Sequence, residues 1–216
     1  MIDDVPLADL RPRLVVAMLP NVPFDGWGAA ARDAAADSLG LDRDIAAMAL
    51  PDAASMTDAY TARADVIMTA AMQAAGVGTM KIRDRIRLAL HTRLEHAEAD
   101  REAVRRALTV MTLPQNAALG LRTLWRTADA MWRAAGDTAT DFNHYSKRII
   151  LGSVYSASLL YWLDDDSEGR ADTWAFIDRR IDSVMRFEKS KAKLTKALEF
   201  FPDPARFLGR LRYPAV

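Results

Sequence analysis

One polar segment that opens into an apolar one decides how this chain folds. The segment is Gly136-Asp137-Thr138-Ala139-Thr140-Asp141-Phe142-Asn143-His144-Tyr145-Ser146-Lys147-Arg148, and the residues that follow it, 149–163, are all uncharged. The pattern predicts one helix whose first turns carry aromatic and hydrogen-bonding side chains suited to recognition. The remainder carries enough apolar surface to line a core, a lipid pocket or a subunit interface. It is shorter than the ~20 apolar residues that cross a bilayer, so we do not expect a membrane span.

Apolar residues recur at helical spacing along almost the whole chain, and sustained alternation of the kind found in sheets is absent from the sequence. We therefore predict an all-α fold, a single domain of about ten helices. The predicted helices cover 7–19, 25–39, 42–49, 55–75, 81–97, 100–112, 116–135, 139–163, 170–198 and 204–212.

The predicted helix 116–135 is amphipathic. Its apolar stripe is Leu121, Leu124, Trp125, Ala128, Trp132 and Ala135, and its charged stripe is Arg122, Arg126, Asp129 and Arg133. We expect the first stripe to pack on the protein and the second to meet water.

Composition describes an ordinary globular chain with an uneven charge distribution. The 216 residues are 50% hydrophobic and include no cysteine, which excludes disulfides, thiolate metal sites and cysteine nucleophiles and favours an intracellular location. Net charge is zero, but residues 1–60 hold ten Asp and four Arg, a net −6, whereas residues 186–216 carry a net +5. The acidic N-terminus shows no targeting segment.

The sequence gives no positive sign of catalysis. The three histidines, His91, His96 and His144, lack the Glu-x-x-His spacing of a carboxylate-bridged metal site, and we predict no metal. The carboxylates at 42–44 and 164–166 are interpreted as solvated or capping groups. We therefore expect a protein that is not an enzyme and has no cofactor.

Short helices near the N-terminus raise the possibility of a DNA-binding helix-turn-helix. Residues 21–60 contain two Arg against seven Asp, and DNA binding depends on neutralising phosphates. Pro51 and the Ala-rich segment after it are also expected to disrupt the compact spacing. We predict a degenerate, acidic helix-turn-helix region over 1–60 and no nucleic-acid partner.

The C-terminal tail, residues 199–216, has the pattern of a basic amphipathic helix. Phe207, Leu208 and Leu211 share one face, and Arg206 and Arg210 flank it. Such a helix suits the surface of an anionic membrane. The alternative is a terminal helix docked on its own domain or on a dimer partner.

Four motifs resemble the lipid-binding accessory family of ubiquinone biosynthesis, whose members are partners of the demethoxyubiquinone hydroxylase. They are Val22-Pro23-Phe24-Asp25-Gly26-Trp27, Leu113-Pro114-Gln115-Asn116, the segment from Gly136 to Arg148, and Asp172-Thr173-Trp174-Ala175-Phe176-Ile177-Asp178-Arg179-Arg180. The resemblance implies a TetR-like fold that has lost DNA binding, forms a homodimer and holds an isoprenoid lipid or quinone intermediate over residues 61–198.

The resemblance also implies where the hydroxylase docks. Carried over by motif, the partner-binding residues are Met131, Asp141, His144, Tyr145 and Arg148. The position of His144 is often Trp in the family, and since imidazole offers less apolar area than indole, a weaker contact is expected. Alternatively, Phe142 and Tyr145 simply pack the start of the helix.

For the lipid pocket, the candidate lining residues are Leu121, Leu124, Trp125, Ile150 and Val154, although a filled core is an equal alternative. The function expected is a non-catalytic accessory protein, peripheral on the cytoplasmic face of a bacterial inner membrane, that presents a quinone intermediate to a ring hydroxylase. The alternatives are a TetR-type transcriptional regulator that binds a small apolar effector and a purely structural dimeric scaffold.

Overall fold

The structure, a computed structural model, describes residues 5–138 and 142–199. These residues form α-helices joined by short turns and contain no strand, so the all-α prediction is confirmed. The helices are α1 (Leu7–Met18), α2 (Val22–Asp25), α3 (Ala29–Leu39), α4 (Arg43–Ala49), α5 (Ala53–Ala74), α6 (Ile82–His96), α7 (Arg101–Thr112), α8 (Ala117–Ala134), α9 (Phe142–Asp164) and α10 (Ala171–Glu199). The predicted helix 204–212 lies outside the described residues.

Side-chain caps set several helix ends. Asp42 precedes α4, and its carboxylate accepts a hydrogen bond from the backbone N–H of Asp44 at 2.7 Å. Asp52 and Ser55 form a reciprocal capping box at the start of α5. Gly40 ends α3 in the left-handed region, at φ 62°. The expected capping role of an acidic residue is thus confirmed for Asp42.

The predicted helix 25–39 is in fact two helices. Gly26, at φ 70°, ends α2, and α3 begins only at Ala29. Pro23 lies between the predicted helices 7–19 and 25–39, and in the structure it is in the first turn of α2, where its missing N–H costs no hydrogen bond. The short helix was therefore missed.

In the N-terminal half, α1 packs on α3, α4 and α5, and a three-residue turn, 40–42, joins α3 to α4. This is a helix-turn-helix arrangement. The expected disruption of its spacing was wrong, because Pro51 lies after α4, in the connection to α5.

The two arginines of residues 21–60 form ion pairs with neighbouring aspartates, which adds to the charge argument against DNA binding. Arg43 pairs with Asp37 at 2.6 Å, and its hydrogen bond holds the pKa of Asp37 below the ordinary value. Arg32 pairs with Asp33 at 2.8 Å and donates to the carbonyl of Leu50. Both arginines of residues 21–60 therefore have acidic partners within the same region.

In the C-terminal half, α5 packs on α6, α7 and α8, and α8 packs on α9. The face of α8 that is buried differs from the predicted stripe and consists of Thr123, Thr127, Ala128 and Met131. Leu121 and Trp125 are exposed, and Arg126, predicted to meet water, pairs with two aspartates of α5. The attraction between α5 and α8 rotates the helix away from the orientation that apolar spacing alone predicts.

Two compact units make up the chain, residues 1–177 and residues 178–216. In the first unit, the carboxylate of Asp165 accepts hydrogen bonds from Ser167 and Thr173 as α10 begins. Burial opposes ionisation, but these hydrogen bonds keep the pKa of Asp165 well below its ordinary value. In the second unit, the described residues continue α10 to Glu199. The predicted boundary at 198/199 remains a prediction.

Replacement of Gly40 tests how much the turn between α3 and α4 depends on glycine. A Cβ at Gly40 would meet no atom within 4 Å, so Gly40→Ala introduces backbone strain without a clash. We expect it to lower the free energy of unfolding by about 1 kcal/mol, measured by urea denaturation. Gly78→Ala is the control, because Gly78 also has open space but no positive φ. Equal effects of the two substitutions would contradict the strain argument.

Candidate functional site

A cavity of about 440 Å³ lies among α5, α6, α7, α8 and α9. Its volume is within the range of about 300–1,000 Å³ typical of small-molecule sites. Most of the lining side chains are apolar, and they include Leu94, Val104, Leu108, Met111 and Leu159. The space is therefore suited to an apolar ligand.

Small residues on the facing helices leave this space open. Ala64 on α5, Ala107 on α7, and Ala117 and Gly120 on α8 all line the cavity. At Gly120 a Cβ would lie 3.0 Å from the carbonyl oxygen of Met111, so glycine allows α7 and α8 to approach closely here. The cavity mouth is marked by Leu121, which lines it and is nevertheless 70% exposed.

The inner wall of the cavity is polar. Arg93 of α6 and the tyrosines Tyr60 and Tyr155 line it, and the guanidinium of Arg93 lies 5.8 Å from the centre of the Tyr155 ring. Burial raises the pKa of Tyr60 well above its ordinary value, so its hydroxyl stays protonated. The cavity thus combines an apolar mouth with a polar interior.

Behind this wall, a buried carboxylate connects three helices. Asp65 of α5 accepts hydrogen bonds from Thr127 Oγ1 at 2.9 Å and from Arg126 Nε at 3.2 Å, both on α8. Arg93 Nη2 lies 3.3 Å from Asp65 Oδ1, the oxygen that also accepts from Thr127. Arg126 also donates to Asp58 at 2.6 Å. The two arginines and two aspartates of this group together carry no net charge.

Sequence reasoning missed Arg93 and Asp65, although a signal was present. Arg93 falls on the apolar stripe of α6 with Ile86 and Leu90, and Asp65 falls on that of α5 with Met68. A charged residue on an otherwise apolar helix face requires a buried partner or a ligand.

Of the five predicted lipid-lining residues, the structure brings Leu121 and Leu124 to the cavity. The other three lie elsewhere: Val154 is buried beside the lining, Ile150 is half-buried, and Trp125 lies in a surface aromatic cluster. A Cβ at Gly152 would lie 3.5 Å from Leu124 Cγ, so α9 runs close to α8 at this point. These three residues do not line this cavity, and a role for them in lipid binding stays a prediction.

The predicted partner-binding residues separate into two sets. Tyr145 is 57% exposed and His144 is half-buried, whereas Met131 is completely buried and Arg148 is 2% exposed. Met131 and Arg148 are therefore buried rather than exposed, and a role for them in partner binding stays a prediction. Asp141 lies outside the described residues.

Arg148 has a structural role instead. Its Nε donates to Asp129 at 2.6 Å, and its Nη1 donates to Asp137 at 3.2 Å. Lys147 also pairs with Asp137 at 2.7 Å. These ion pairs attach the first turns of α9 to the end of α8, and so fix where His144 and Tyr145 lie.

An aromatic cluster is formed where α8 meets the start of α9. The ring of Trp125 lies 6.0 Å from that of Tyr145 and 6.3 Å from that of His144, and the latter two rings meet edge to face at 5.2 Å. Ile149, one turn beyond Tyr145, is exposed as well. We call Trp125, His144, Tyr145 and Ile149 the aromatic surface.

Two other classes of site are absent from residues 5–138 and 142–199. No group of His, Asp or Glu there is arranged to hold a metal ion. No helix of this part is long and apolar enough to cross a bilayer. The predicted membrane-binding residues lie outside the described residues: Arg206, Phe207, Leu208, Arg210 and Leu211.

Residues 117–188, which span α8, α9 and the start of α10, match the profile of the family described as COQ9. The chain is 33% identical over 183 residues to ubiquinone biosynthesis protein COQ9, mitochondrial, of Rattus norvegicus, and 32% identical to that of Homo sapiens. These matches cover 82% of this chain but 59% and 58% of the relatives, so the chain spans about three fifths of their length.

Among solved structures, the chain resembles a TetR transcriptional regulator from Nitrosomonas europaea. The TM-score is 0.65 at 18% identity, and the match covers 81% of this chain and 97% of the regulator. The expected TetR-like fold is confirmed. At this identity the similarity concerns the fold alone.

Substitution of Arg148 tests its structural role. Arg148→Met leaves two carboxylates without their buried partner, and we expect the free energy of unfolding to fall by about 2–4 kcal/mol in a denaturant titration. Asp129 also pairs with Arg133, which is 71% exposed, at 2.7 Å. As the control, Arg133→Met should cost less than about 1 kcal/mol. Comparable losses in the two variants would show that Arg148 is not the structural link.

Proposed function

We propose that this chain, which is similar to COQ9 proteins over 82% of its length, is a non-catalytic, lipid-binding accessory protein of ubiquinone biosynthesis. In this proposal it binds an isoprenoid quinone intermediate and presents it to a ring hydroxylase. The observation that carries the proposal is the apolar cavity of about 440 Å³ with its mouth at Leu121.

The lining of the cavity favours an isoprenoid chain. Branched and flexible side chains, among them Leu108, Met111 and Leu124, surround the space. Each methylene group transferred from water to such a surface contributes roughly 0.8 kcal/mol. A short stretch of isoprenoid chain therefore suffices for stable binding.

The mouth of the cavity is next to the aromatic surface. Leu121 and Trp125 lie four residues apart on α8 and so share one face of the helix. Both are exposed, and Trp125 contacts Tyr145 across the junction with α9. A partner that covers the aromatic surface would also cover the mouth, which supports direct transfer of the ligand. We place the hydroxylase contact at Tyr145 and His144.

Membrane association and homodimer formation belong to the same proposal. The basic amphipathic pattern of residues 199–216 would attach the protein to an anionic membrane, the source of its lipid. We propose a peripheral location on the cytoplasmic face of an inner membrane. The resemblance to the accessory family is the support for the dimer.

Transcriptional regulation, the alternative function, receives less support. The fold is shared with a TetR regulator, and α3 and α4 have a helix-turn-helix arrangement. However, Arg32 and Arg43 are each paired with a neighbouring aspartate, and the region is strongly acidic. Such a surface repels DNA phosphates.

Lipid recovered with the purified protein tests the proposal. We expect solvent extraction of the protein, purified without detergent, to yield isoprenoid lipid identified by mass spectrometry. Leu108→Trp places an indole in the cavity and should lower the lipid recovered per chain by about tenfold, which corresponds to about 1.4 kcal/mol.

Leu113→Trp is the matched control, because Leu113 is exposed and does not line the cavity. It should leave the amount of lipid unchanged. Absence of isoprenoid lipid from the unmodified protein would overturn the proposal. Undiminished lipid in Leu108→Trp would show that the lipid binds elsewhere.

Binding of the hydroxylase tests the role of Tyr145. Tyr145→Lys removes an exposed aromatic side chain and should weaken binding to the ring hydroxylase at least about tenfold in a biolayer interferometry titration. Val66→Lys is the control, because Val66 on α5 is 68% exposed and lies outside the aromatic surface, and it should have no effect. Conversely, His144→Trp should strengthen binding. If Tyr145→Lys binds as tightly as the control, the docking surface lies elsewhere.

A further inference from the structure

Arg93 carries unused hydrogen-bonding capacity at the inner wall of the cavity. Its side chain is 5% exposed, and its Nε and Nη1 atoms are buried without a hydrogen-bond partner. Leaving a charged donor in this state costs more than leaving a neutral one. The position of Arg93 on the cavity lining provides the space for an acceptor.

The Tyr155 side chain lies beside the Arg93 guanidinium and interacts with it, and the other contacts of Arg93 are long. Nη2 lies 3.3 Å from Asp65 and 3.4 Å from the carbonyl oxygen of Thr61, both near the limit of a hydrogen bond. Asp65 already accepts from Thr127 and Arg126 at shorter distances. The carboxylate is therefore satisfied by α8, and Arg93 is not needed as its only counterion.

The charges around Arg93 favour a neutral acceptor. Asp58 and Asp65 balance Arg93 and Arg126, so a bound carboxylate or phosphate would leave the buried group with excess negative charge. Near Tyr60, on the same wall, Asp100 and Arg63 add one charge of each sign and leave this balance unchanged. A carbonyl, ether or hydroxyl oxygen accepts from guanidinium N–H groups without this cost.

We propose that Arg93 is the anchor for the polar head of a neutral amphipathic lipid, which enters head first and whose isoprenoid chain leaves past Leu121. The inference rests on the proposed function, which supplies the lipid-binding cavity. It adds the class of head, an uncharged oxygen-bearing ring, and the residue that selects it. Hydrocarbons without oxygen, fatty acids and phospholipids are expected to bind less well.

Three probes with the same ten-carbon chain separate these classes. They are 2-geranyl-1,4-benzoquinone, with neutral carbonyl oxygens, geranic acid, with a carboxylate, and 2,6-dimethyl-2,6-octadiene, with no oxygen. Affinities are measured by isothermal titration calorimetry on the full chain after its lipid has been removed. We expect the unmodified protein to bind the quinone about tenfold more tightly than the other two probes.

Arg93 and Arg126 both pair with Asp65, so substitutions of the two can be compared directly. Arg93→Met should remove the preference for the quinone and leave the affinity for the hydrocarbon unchanged. Arg126→Met removes the other arginine, which does not line the cavity, and should keep the preference. Circular dichroism confirms that each variant is folded. If Arg93→Met does not fold, Arg93→Lys retains the charge near Asp65 and should still lose most of the preference, because a single ammonium lacks the fork geometry.

The possible failures are distinguishable. If the unmodified protein binds quinone and hydrocarbon with equal affinity, lipid binding in the cavity is supported but anchoring of the head by Arg93 is contradicted. If Arg93→Met still prefers the quinone, anchoring of the head by Arg93 is likewise contradicted. If geranic acid binds more tightly than the quinone, the site does not prefer an uncharged polar head. If none of the probes binds, the proposed function falls together with the inference.

Discussion

The structure depends on one buried carboxylate, that of Asp65. It lies on α5 and joins α6 and α8 through Arg93, Arg126 and Thr127. A buried charge is costly unless it is paired and hydrogen-bonded, so the three helices must keep their relative positions for Asp65 to be tolerated. The same requirement sets the rotation of α8, because Arg126 has to face α5. Apolar packing alone would permit a different rotation.

That rotation explains both functional features of the surface. With Thr127 and Met131 turned inward, Leu121 and Trp125 face outward. Leu121 then forms the cavity mouth, and Trp125 joins the aromatic surface. The ion pairs of Arg148 complete the arrangement, because they hold the first turns of α9 against α8. The cavity mouth and the proposed docking site are therefore two consequences of a single packing arrangement.

Features set by residues close together in the sequence could be predicted, and features set by contacts between distant residues could not. Helical spacing and caps are local, so the all-α fold and the capping role of Asp42 were predicted correctly. The break at Gly26 was missed because Pro23 suits two opposite positions, a helix start or a helix stop. Met131 and Arg148 were assigned to the surface because their burial depends on partners in other helices. Arg93 was missed for the same reason, since its contact with Asp65 joins residues far apart in the sequence.

The TetR-like fold separates two tasks that can be changed independently. In the helix-turn-helix, ion pairs within the region occupy Arg32 and Arg43. In the half that encloses the cavity, ion pairs run between helices, and Arg93 on the cavity lining has two N–H groups without a hydrogen-bond partner. Loss of positive charge at the first site does not disturb the second, because Asp65, Arg93 and Arg126 all lie beyond α4. A chain with this fold can therefore lose positive charge in its helix-turn-helix and still keep the cavity.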